Sequence, residues 1–192
     1  MEILKQVQYM QTKEYELKLR RESLEHLCGF DLTDFQIGVL MAECIESSQT
    51  IYAAQQRRAG TSTALLLKIY QSIFLEGKLN HKYVISISNA QSSYLCDRMM
   101  QLLGQANLLE EIRSHSRYEI RFNNGCTIHF KNDNPNNLIG GRKGVEFFID
   151  NYRLSNTLKT RQLMNVISPM EPSHIHYFLD SSEIFSDILF NN

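Results

Sequence analysis

Short runs of apolar and β-branched residues alternate along this chain with longer stretches in which apolar residues recur at helical spacing. The runs predict strands over 50–54, 81–88, 118–122, 127–131, 145–149 and 174–179. The stretches between them predict a helix that begins near Phe35 and helices over 62–75, 90–104 and 154–167. Strands that alternate with helices, and that are almost continuously apolar, predict an α/β fold with a mostly parallel sheet and helices on both faces.

Two further patterns complete the predicted architecture. The strands over 118–122 and 127–131 flank Asn123-Asn124-Gly125, which predicts an inserted β-hairpin. Residues 1–28 are rich in helix formers and lack Gly and Pro, which predicts an N-terminal helical segment that docks on the body or on a partner. The remaining residues, 29–192, form the α/β domain, and either Thr33 or Asp34 caps its first helix.

The amino-acid composition bears on the partners and the cellular compartment of the protein. The 192 residues are 43% hydrophobic and 21% charged with a net charge of -1, so nucleic-acid binding would need a local basic face. Four cysteines lack C-x-x-C spacing, which favours reduced, buried thiols. No apolar run reaches the ~20 residues needed to cross a bilayer, and no signal peptide is present. We expect a soluble protein of a reducing compartment, with no membrane partner.

The turn after the strand over 50–54 has the composition of a phosphate-binding loop. It reads Gln55-Gln56-Arg57-Arg58-Ala59-Gly60-Thr61-Ser62-Thr63 and opens a helix rich in Ala and Leu. Backbone N–H groups at such a helix start face an anion, and a hydroxyl there reaches Mg²⁺. The generic pattern G-x-x-x-x-G-K-[ST] is not met, because Gln55 replaces its first Gly and Thr61 its Lys. An ordinary turn capped by Ser62 or Thr63 is the alternative.

An acidic residue follows the apolar strand over 145–149. Asp150 at a strand tip is suited to organise Mg²⁺ in an NTPase. Such enzymes usually place a Glu next, to orient or deprotonate the attacking water, and here the position holds Asn151. A simple turn after the strand is the alternative interpretation of these two residues.

Taken in order, these features resemble the ATPase domain of the large terminase subunit, the DNA-packaging motor of tailed phages and related viruses. Residues 34–40 resemble its adenine-reading motif, and 57–63 its arginine-containing phosphate loop with the Lys replaced. The hairpin over 120–130 and the Arg-Gly loop over 139–144 also have counterparts, and Asp180-Ser181-Ser182 stands at the coupling motif. The resemblance spans residues 31–183.

The resemblance implies an ATPase with ATP and Mg²⁺ as cofactors, and it assigns roles residue by residue. The residues that would contact the nucleotide are Gln36, Arg57, Arg58, Ala59, Gly60, Thr61, Ser62 and Thr63. Ser62 and Asp150 would bind the metal, and Asp150, Asn151 and Arg58 would take part in catalysis. Asp180, Ser181 and Ser182 would form the coupling motif. Arg57 or Arg58 would supply the positive charge that Thr61 lacks, since guanidinium suits phosphate oxygens. A surface arginine pair that anchors the loop is the alternative.

The implied partners are double-stranded DNA and other packaging-motor proteins, with a small terminase or another partner on the N-terminal helix. The setting would be the cytoplasm or nucleus of a host cell, and no nuclease domain is expected. Because Thr61 and Asn151 depart from the family pattern, we expect weak or absent hydrolysis. A catalytically inactive, terminase-like regulatory or interaction module is therefore the second hypothesis, and a helicase-like ATPase fragment the third.

Three other sets of residues are weaker candidates for a functional role. Glu146 shares a strand face with Asp150 and is a candidate for the missing base, as is Glu183. His174 and His176 share one strand face, for which a structural role is favoured over metal binding. Several basic residues near the hairpin and after it are candidates for DNA phosphate contacts or for an ordinary solvated surface: Arg113, Arg117, Arg121, Arg142, Lys143, Arg153, Lys159 and Arg161.

Overall fold

The computed structural model describes residues 18–19, 21–26, 29–42, 48–54, 60–138, 143–150 and 157–180. The helices are α1 (Asp34–Met41), α2 (Thr61–Tyr70), α3 (Asn89–Gln105) and α4 (Thr157–Ile167). The strands are β1 (Ser48–Ala54), β2 (Lys82–Ser86), β3 (Ile112–Ser116), β4 (Glu119–Phe122), β5 (Thr127–Asn132), β6 (Glu146–Asp150) and β7 (His174–Asp180). Residues 18–19 and 21–26 are helical, and the N-terminal helical segment over 1–28 stays a prediction.

The seven strands of the described residues form one sheet in the order β1-β7-β6-β2-β5-β4-β3. The first five strands of that order are parallel, and β4 pairs antiparallel with both β5 and β3. The predicted α/β fold with a mostly parallel sheet is thereby confirmed. Because the parallel strands run in one direction, their carboxyl ends meet at one edge, where ligands of such sheets bind.

Helices cover both faces of this sheet. On β2, Val84 packs with α1, α2 and α3, whereas Tyr83 and Ile85 pack on the other face with α4. On β6, Phe148 belongs to the first face. Because side chains alternate along a strand, Asp150 lies on the same face as Phe148. The acid at the end of β6 therefore lies on the side of the sheet that α2 and α3 occupy.

The structure corrects the predicted helix over 62–75. Regular α-helix ends at Tyr70 and continues as a π-helical turn over Gln71–Leu75. Such turns are rare and change the direction of the side chains that follow. Here the wider turn contains Ser72, which donates a hydrogen bond to Glu146 at 2.8 Å.

The hairpin is present as predicted, and the strand before it was missed. β4 and β5 flank Asn123-Asn124-Gly125, and Gly125 has φ +89°, in the left-handed region that favours glycine. β3 is an edge strand over Ile112–Ser116 whose residues are mostly exposed. Its sequence lacks the apolar alternation of a half-buried strand, which explains why the pattern did not indicate it.

Two cysteines fall within the described residues, and both fit the prediction of reduced, buried thiols. Cys96 and Cys126 are buried and free. Burial raises the pKa of both thiols to about 11, so they stay protonated at neutral pH. Cys28 and Cys44 lie outside the described residues. None of the described helices combines the length and the apolar character that crossing a bilayer would require.

Candidate functional site

Asp150 occupies the carboxyl edge of the sheet. It is the last residue of β6, which lies between β2 and β7, and it is only 2% exposed. The start of α2 follows β1 at the same edge, and the start of α3 follows β2. Side chains from both helix starts therefore reach the carboxylate.

Ser62 makes the first of these contacts. Its hydroxyl donates to Asp150, at 3.2 Å to Oδ1 and 3.4 Å to Oδ2. Carboxylate and hydroxyl oxygens are hard ligands that suit Mg²⁺, which commonly keeps several waters and adds phosphate oxygens. The two residues predicted to bind metal are thus brought together, and their donor set fits magnesium. No group of three or more His, Cys, Asp or Glu side chains gathers in the part of the chain described, so a metal here would need such additional ligands.

At the start of α2, backbone N–H groups rather than charged side chains are the candidate ligand-binding groups. Gly60 is its N-cap, with φ +80°, and no side-chain cap hydrogen bond is present among the described residues, so neither Ser62 nor Thr63 is the cap that the alternative named. The first turn carries no acidic residue. Such a helix start favours anions, because its N–H groups and the helix dipole both point outward. Thr61, at the position of the missing Lys, is buried.

Gln36 lies against this helix start. Its amide Oε1 accepts from Thr33 N at 2.9 Å, while Thr33 Oγ1 accepts from Gln36 N at 3.3 Å, so the two residues form a capping box for α1. The other end of the amide, Nε2, donates to Gly60 O at 3.3 Å. Thr33 is thus the cap of α1, and the residue predicted to read adenine contacts the predicted phosphate loop.

An open cavity of about 210 Å³ lies between α2 and α3 and adjoins Thr63. Phe30 lines it from the segment before α1, and Arg98 and Gln101 line it from α3. Arg98 donates to Gln101 at 2.7 Å within this wall. The cavity places aromatic and polar groups beside the last residue of the predicted nucleotide motif.

Gln91 was not predicted as a site residue. It is the third residue of α3, and its backbone N donates to Oγ of the N-cap Ser88 at 3.2 Å. Its side-chain Nε2 donates to Asp150 Oδ2 at 3.0 Å. The signal that could have found it is positional, since the residues after β2 must lie at the same sheet edge as those after β6.

Several predicted site residues lie outside the described residues, and their roles stay predictions. These are Arg57, Arg58, Ala59, Asn151, Ser181 and Ser182, together with the candidate base Glu183. The backbone of Asp180 ends β7 beside Ala54, the last residue of β1, so the predicted coupling motif begins at this edge.

Glu146 is not near the predicted site, although it shares a strand face with Asp150. It begins β6, at the opposite edge of the sheet, about 13 Å from Asp150 at the usual rise of a strand. Its carboxylate accepts from the buried ammonium of Lys82 at 2.6 Å and from Ser72. The other oxygen, Oε1, is 2.9 Å from His176 Nε2. Glu146 is therefore engaged in a buried polar network that joins β2, β6 and β7.

The protonation states of Glu146 and His176 follow from their burial and from the ion pair of Glu146 with Lys82. Burial raises the pKa of Glu146, but the hydrogen bond from His176 and the charge of Lys82 outweigh it and hold the pKa below its usual range. Burial lowers the pKa of His176 to about 4, against the opposing effect of Glu146. We therefore assign a neutral imidazole whose Nε2–H donates to Glu146, while Nδ1 accepts from the Tyr52 hydroxyl at 3.2 Å.

The two histidines of β7 have structural partners. His174 Nε2 lies 2.8 Å from Thr50 Oγ1, and His176 is held by Glu146 and Tyr52. Both rings are buried. The favoured structural interpretation agrees with these contacts.

Basic side chains cluster on the antiparallel end of the sheet. Arg113, Arg117 and Arg121 are all exposed. Arg117 donates to Ser93 at 3.1 Å, and Arg121 donates to Glu119 at 2.5 Å. These partners are compatible with an ordinary solvated surface and leave the guanidinium groups accessible to phosphate.

The fold resembles that of solved terminase domains. The large terminase ATPase domain of Thermus phage P74-26 matches with a TM-score of 0.58 and 13% identity, over 82% of this chain and 68% of that chain. A mutant of that domain with one arginine changed to alanine matches with a TM-score of 0.58 and 12% identity, over 81% and 68%. No protein-family model and no curated protein matches the chain. At this identity the likeness shows the fold alone.

Proposed function

We propose that this chain is a terminase-type nucleotide-binding domain that binds ATP with Mg²⁺ and takes part in viral DNA packaging. The observation that carries the proposal is the contact of Ser62 with Asp150 at 3.2 Å. It joins the start of the predicted phosphate loop helix to the acid at the end of β6, which are the two parts a magnesium nucleotide needs. The likeness of the fold to terminase ATPase domains supports the same class of ligand.

Each part of the nucleotide has a candidate partner. Asp150 and Ser62 hold the metal, which when bound neutralises phosphate charge. The start of α2 faces the phosphates, and Arg57 or Arg58 supplies the cation that Thr61 does not. Gln36 reads the base by exchanging its present bond to Gly60 for one to adenine.

Turnover is expected to be slow or absent. Thr61 brings no positive charge to the phosphates, and Asn151 can orient a water but cannot accept its proton. Loss of a general base commonly lowers a rate by about 10² to 10⁴. The test of this function therefore measures nucleotide binding first and hydrolysis second.

The packaging role brings macromolecular partners. Double-stranded DNA would be held through phosphate contacts, for which Arg113, Arg117 and Arg121 are candidates. The segment over 1–28 would bind another packaging-motor protein such as a small terminase. Asp180, Ser181 and Ser182 would couple the nucleotide site to movement of these partners.

Calorimetric titration with a non-hydrolysable ATP analogue and Mg²⁺ tests the proposal. We expect micromolar binding by the natural sequence and its loss in Asp150→Asn, which keeps the shape of the side chain and removes its charge. Arg58→Ala should weaken binding as well. Asp97→Asn, an exposed acid on α3, is the matched control and should bind normally. A folded natural protein that binds no nucleotide at millimolar concentration would refute the proposal.

The second candidate is an inactive terminase-like module that regulates or binds a partner protein. Thr61 and Asn151, at the two chemically demanding positions, favour it. This function predicts that nucleotide has no effect, and that deletion of residues 1–28 abolishes partner binding. The titration above separates the two candidates before any partner is known.

A further inference from the structure

Gln91 is placed to act on the metal site through Asp150. Its backbone is fixed at the third position of α3 by the Ser88 cap, and its side chain reaches across to β6. The Nε2 to Oδ2 distance of 3.0 Å is that of a good hydrogen bond. The side chain is half-buried, so the bond is partly shielded from water.

Ser62 and Gln91, from the starts of two different helices, both donate to the carboxylate of Asp150. Ser62 is nearer to Oδ1, and Gln91 binds Oδ2. Among the described residues, the other end of the Gln91 amide, Oε1, has no hydrogen-bond donor. The amide that binds Asp150 thus keeps an available acceptor.

We propose that Gln91 is a positioning residue of the magnesium site, an inference that rests on the proposed function. Its Nε2 orients the Asp150 carboxylate, and its Oε1 accepts a hydrogen bond from a water bound to the metal. Mg²⁺ in nucleotide sites keeps several waters, and groups that bond its ligands and waters tune its affinity. An uncharged amide does both without the repulsion that a second carboxylate would add before metal arrives.

A purely structural role makes a different prediction. If the bond to Asp150 only anchors α3 to β6, its loss should lower the melting temperature and leave metal affinity unchanged in the folded protein. If Gln91 positions the carboxylate and a water, metal affinity should fall in protein that is fully folded. Metal affinity therefore distinguishes the two roles.

The test uses the full chain, Mn²⁺ as a paramagnetic substitute for Mg²⁺, and a non-hydrolysable ATP analogue. Electron paramagnetic resonance measures bound Mn²⁺, and calorimetry without metal measures binding of the analogue alone. Gln91→Met removes both polar ends at similar size, and Gln105→Met, an exposed residue at the end of the same helix, is the control. We expect Gln91→Met to weaken Mn²⁺ binding about tenfold with metal-free binding of the analogue unchanged.

Gln91→Glu is the conservative variant that keeps an oxygen acceptor at the same reach. We expect it to weaken Mn²⁺ binding less than Gln91→Met does, because it keeps the acceptor oxygen but lacks the Nε2 donor to Asp150. A fall as large as that of Gln91→Met would overturn the role of the acceptor. Mn²⁺ binding by Gln91→Met within twofold of the natural protein would overturn the positioning role altogether.

The two proposals fail in different ways. If the folded natural protein binds no Mn²⁺ with the analogue, the proposed function fails and the role of Gln91 is refuted with it. If the natural protein binds and Gln91→Met binds equally well, only the role of Gln91 is refuted. A melting curve for each variant confirms that the comparison is made on folded protein.

Discussion

Gln36 donates from Nε2 to the carbonyl oxygen of Gly60 at 3.3 Å, and its amide occupies the space that a Cβ atom at residue 60 would need. A Cβ atom built on Gly60 would lie 2.3 Å from Gln36 Nε2. The same glycine has φ +80°, a conformation that residues with a side chain rarely adopt. A side chain at residue 60 is therefore disfavoured by the backbone conformation and would displace the amide of Gln36.

Gly60→Ala should destabilise the protein by about 2–3 kcal/mol, which combines the strain of a left-handed alanine with the lost contact of Gln36. Chemical denaturation in urea measures the change. Gly144→Ala is the matched control, because Gly144 has φ +68° but nothing within 4 Å of an added Cβ. It should cost only about 1 kcal/mol.

A double variant separates the two causes at Gly60. In a Gln36→Ala background the clash is gone, so Gly60→Ala should cost only about as much as it does at Gly144. An equal cost in both backgrounds would contradict the close approach of Gln36.

Lys82→Met should destabilise the protein by about 3–5 kcal/mol, because it leaves the charge of Glu146 buried without its partner. Both side chains of this pair are almost fully buried, at 0% and 3% exposure. Adding Glu146→Gln should restore much of the loss, since an amide keeps a hydrogen bond with His176 and carries no charge. Thermal and urea unfolding of the single and double variants measure the effect.

The control for that pair is Lys143→Met. Lys143 pairs with Glu171 on the surface, with side chains 70% and 67% exposed. Its loss should change stability by less than about 1 kcal/mol. A comparable loss from both lysine variants would argue against a special role for burial.

The stability of the protein should decrease as pH falls from about 6.5. The pKa of His176 is about 4 in the fold against 6.5 ordinarily, so between these values the unfolded chain binds a proton that the folded chain does not. His129, whose pKa burial also lowers to about 4, adds to the same slope. Below about 4.5, protonation of Glu146 adds a further loss because its pKa is lowered in the fold. We expect His176 to contribute about 1–3 kcal/mol to the difference.

Urea unfolding at pH 7.5 and at pH 5 measures this dependence. His176→Gln should reduce the difference between the two values, and His129 should account for part of what remains. His115→Gln, at an exposed position on β3, should leave the dependence unchanged. An unaltered pH dependence in His176→Gln would mean that this imidazole is not the group responsible.

Thr61→Lys should tighten binding of the magnesium nucleotide by at least about tenfold, since an ammonium would then face the phosphates. Combined with Asn151→Glu, which adds a proton acceptor, it should raise hydrolysis above the natural baseline. Ser114→Lys, which adds the same charge at an exposed position on the edge strand β3, is the control. Unchanged nucleotide affinity in folded Thr61→Lys would place the phosphates elsewhere.

The meeting of Ser62 and Asp150 could be predicted from the sequence because a general rule governs it. Parallel strands deliver their carboxyl ends to one edge, so a motif after β1 and an acid at the end of β6 must be near each other. The hairpin could also be predicted, because Asn-Gly between two segments of alternating apolar and polar residues is typical of a tight turn between antiparallel strands.

Glu146 shows where such reasoning stops. An even offset from Asp150 correctly gives the face of the strand, but the same offset of four residues puts Glu146 about 13 Å away along the strand, too far to act at Asp150. Lys82 and His176, which determine the role of Glu146, come from distant parts of the chain. Gln91 was missed for a similar reason, because one glutamine in a polar helix start is unremarkable until its partner is known.

The pairing of Lys82 with Glu146 also bears on how this sequence can change over generations. Neither residue can be replaced first without passing through a protein that carries a lone charge in its interior, so the two should be inherited or exchanged together. Distant relatives are then expected to carry either both charges or neither at these positions. Such a linked pair gives a criterion for kinship where overall identity is too low to supply one.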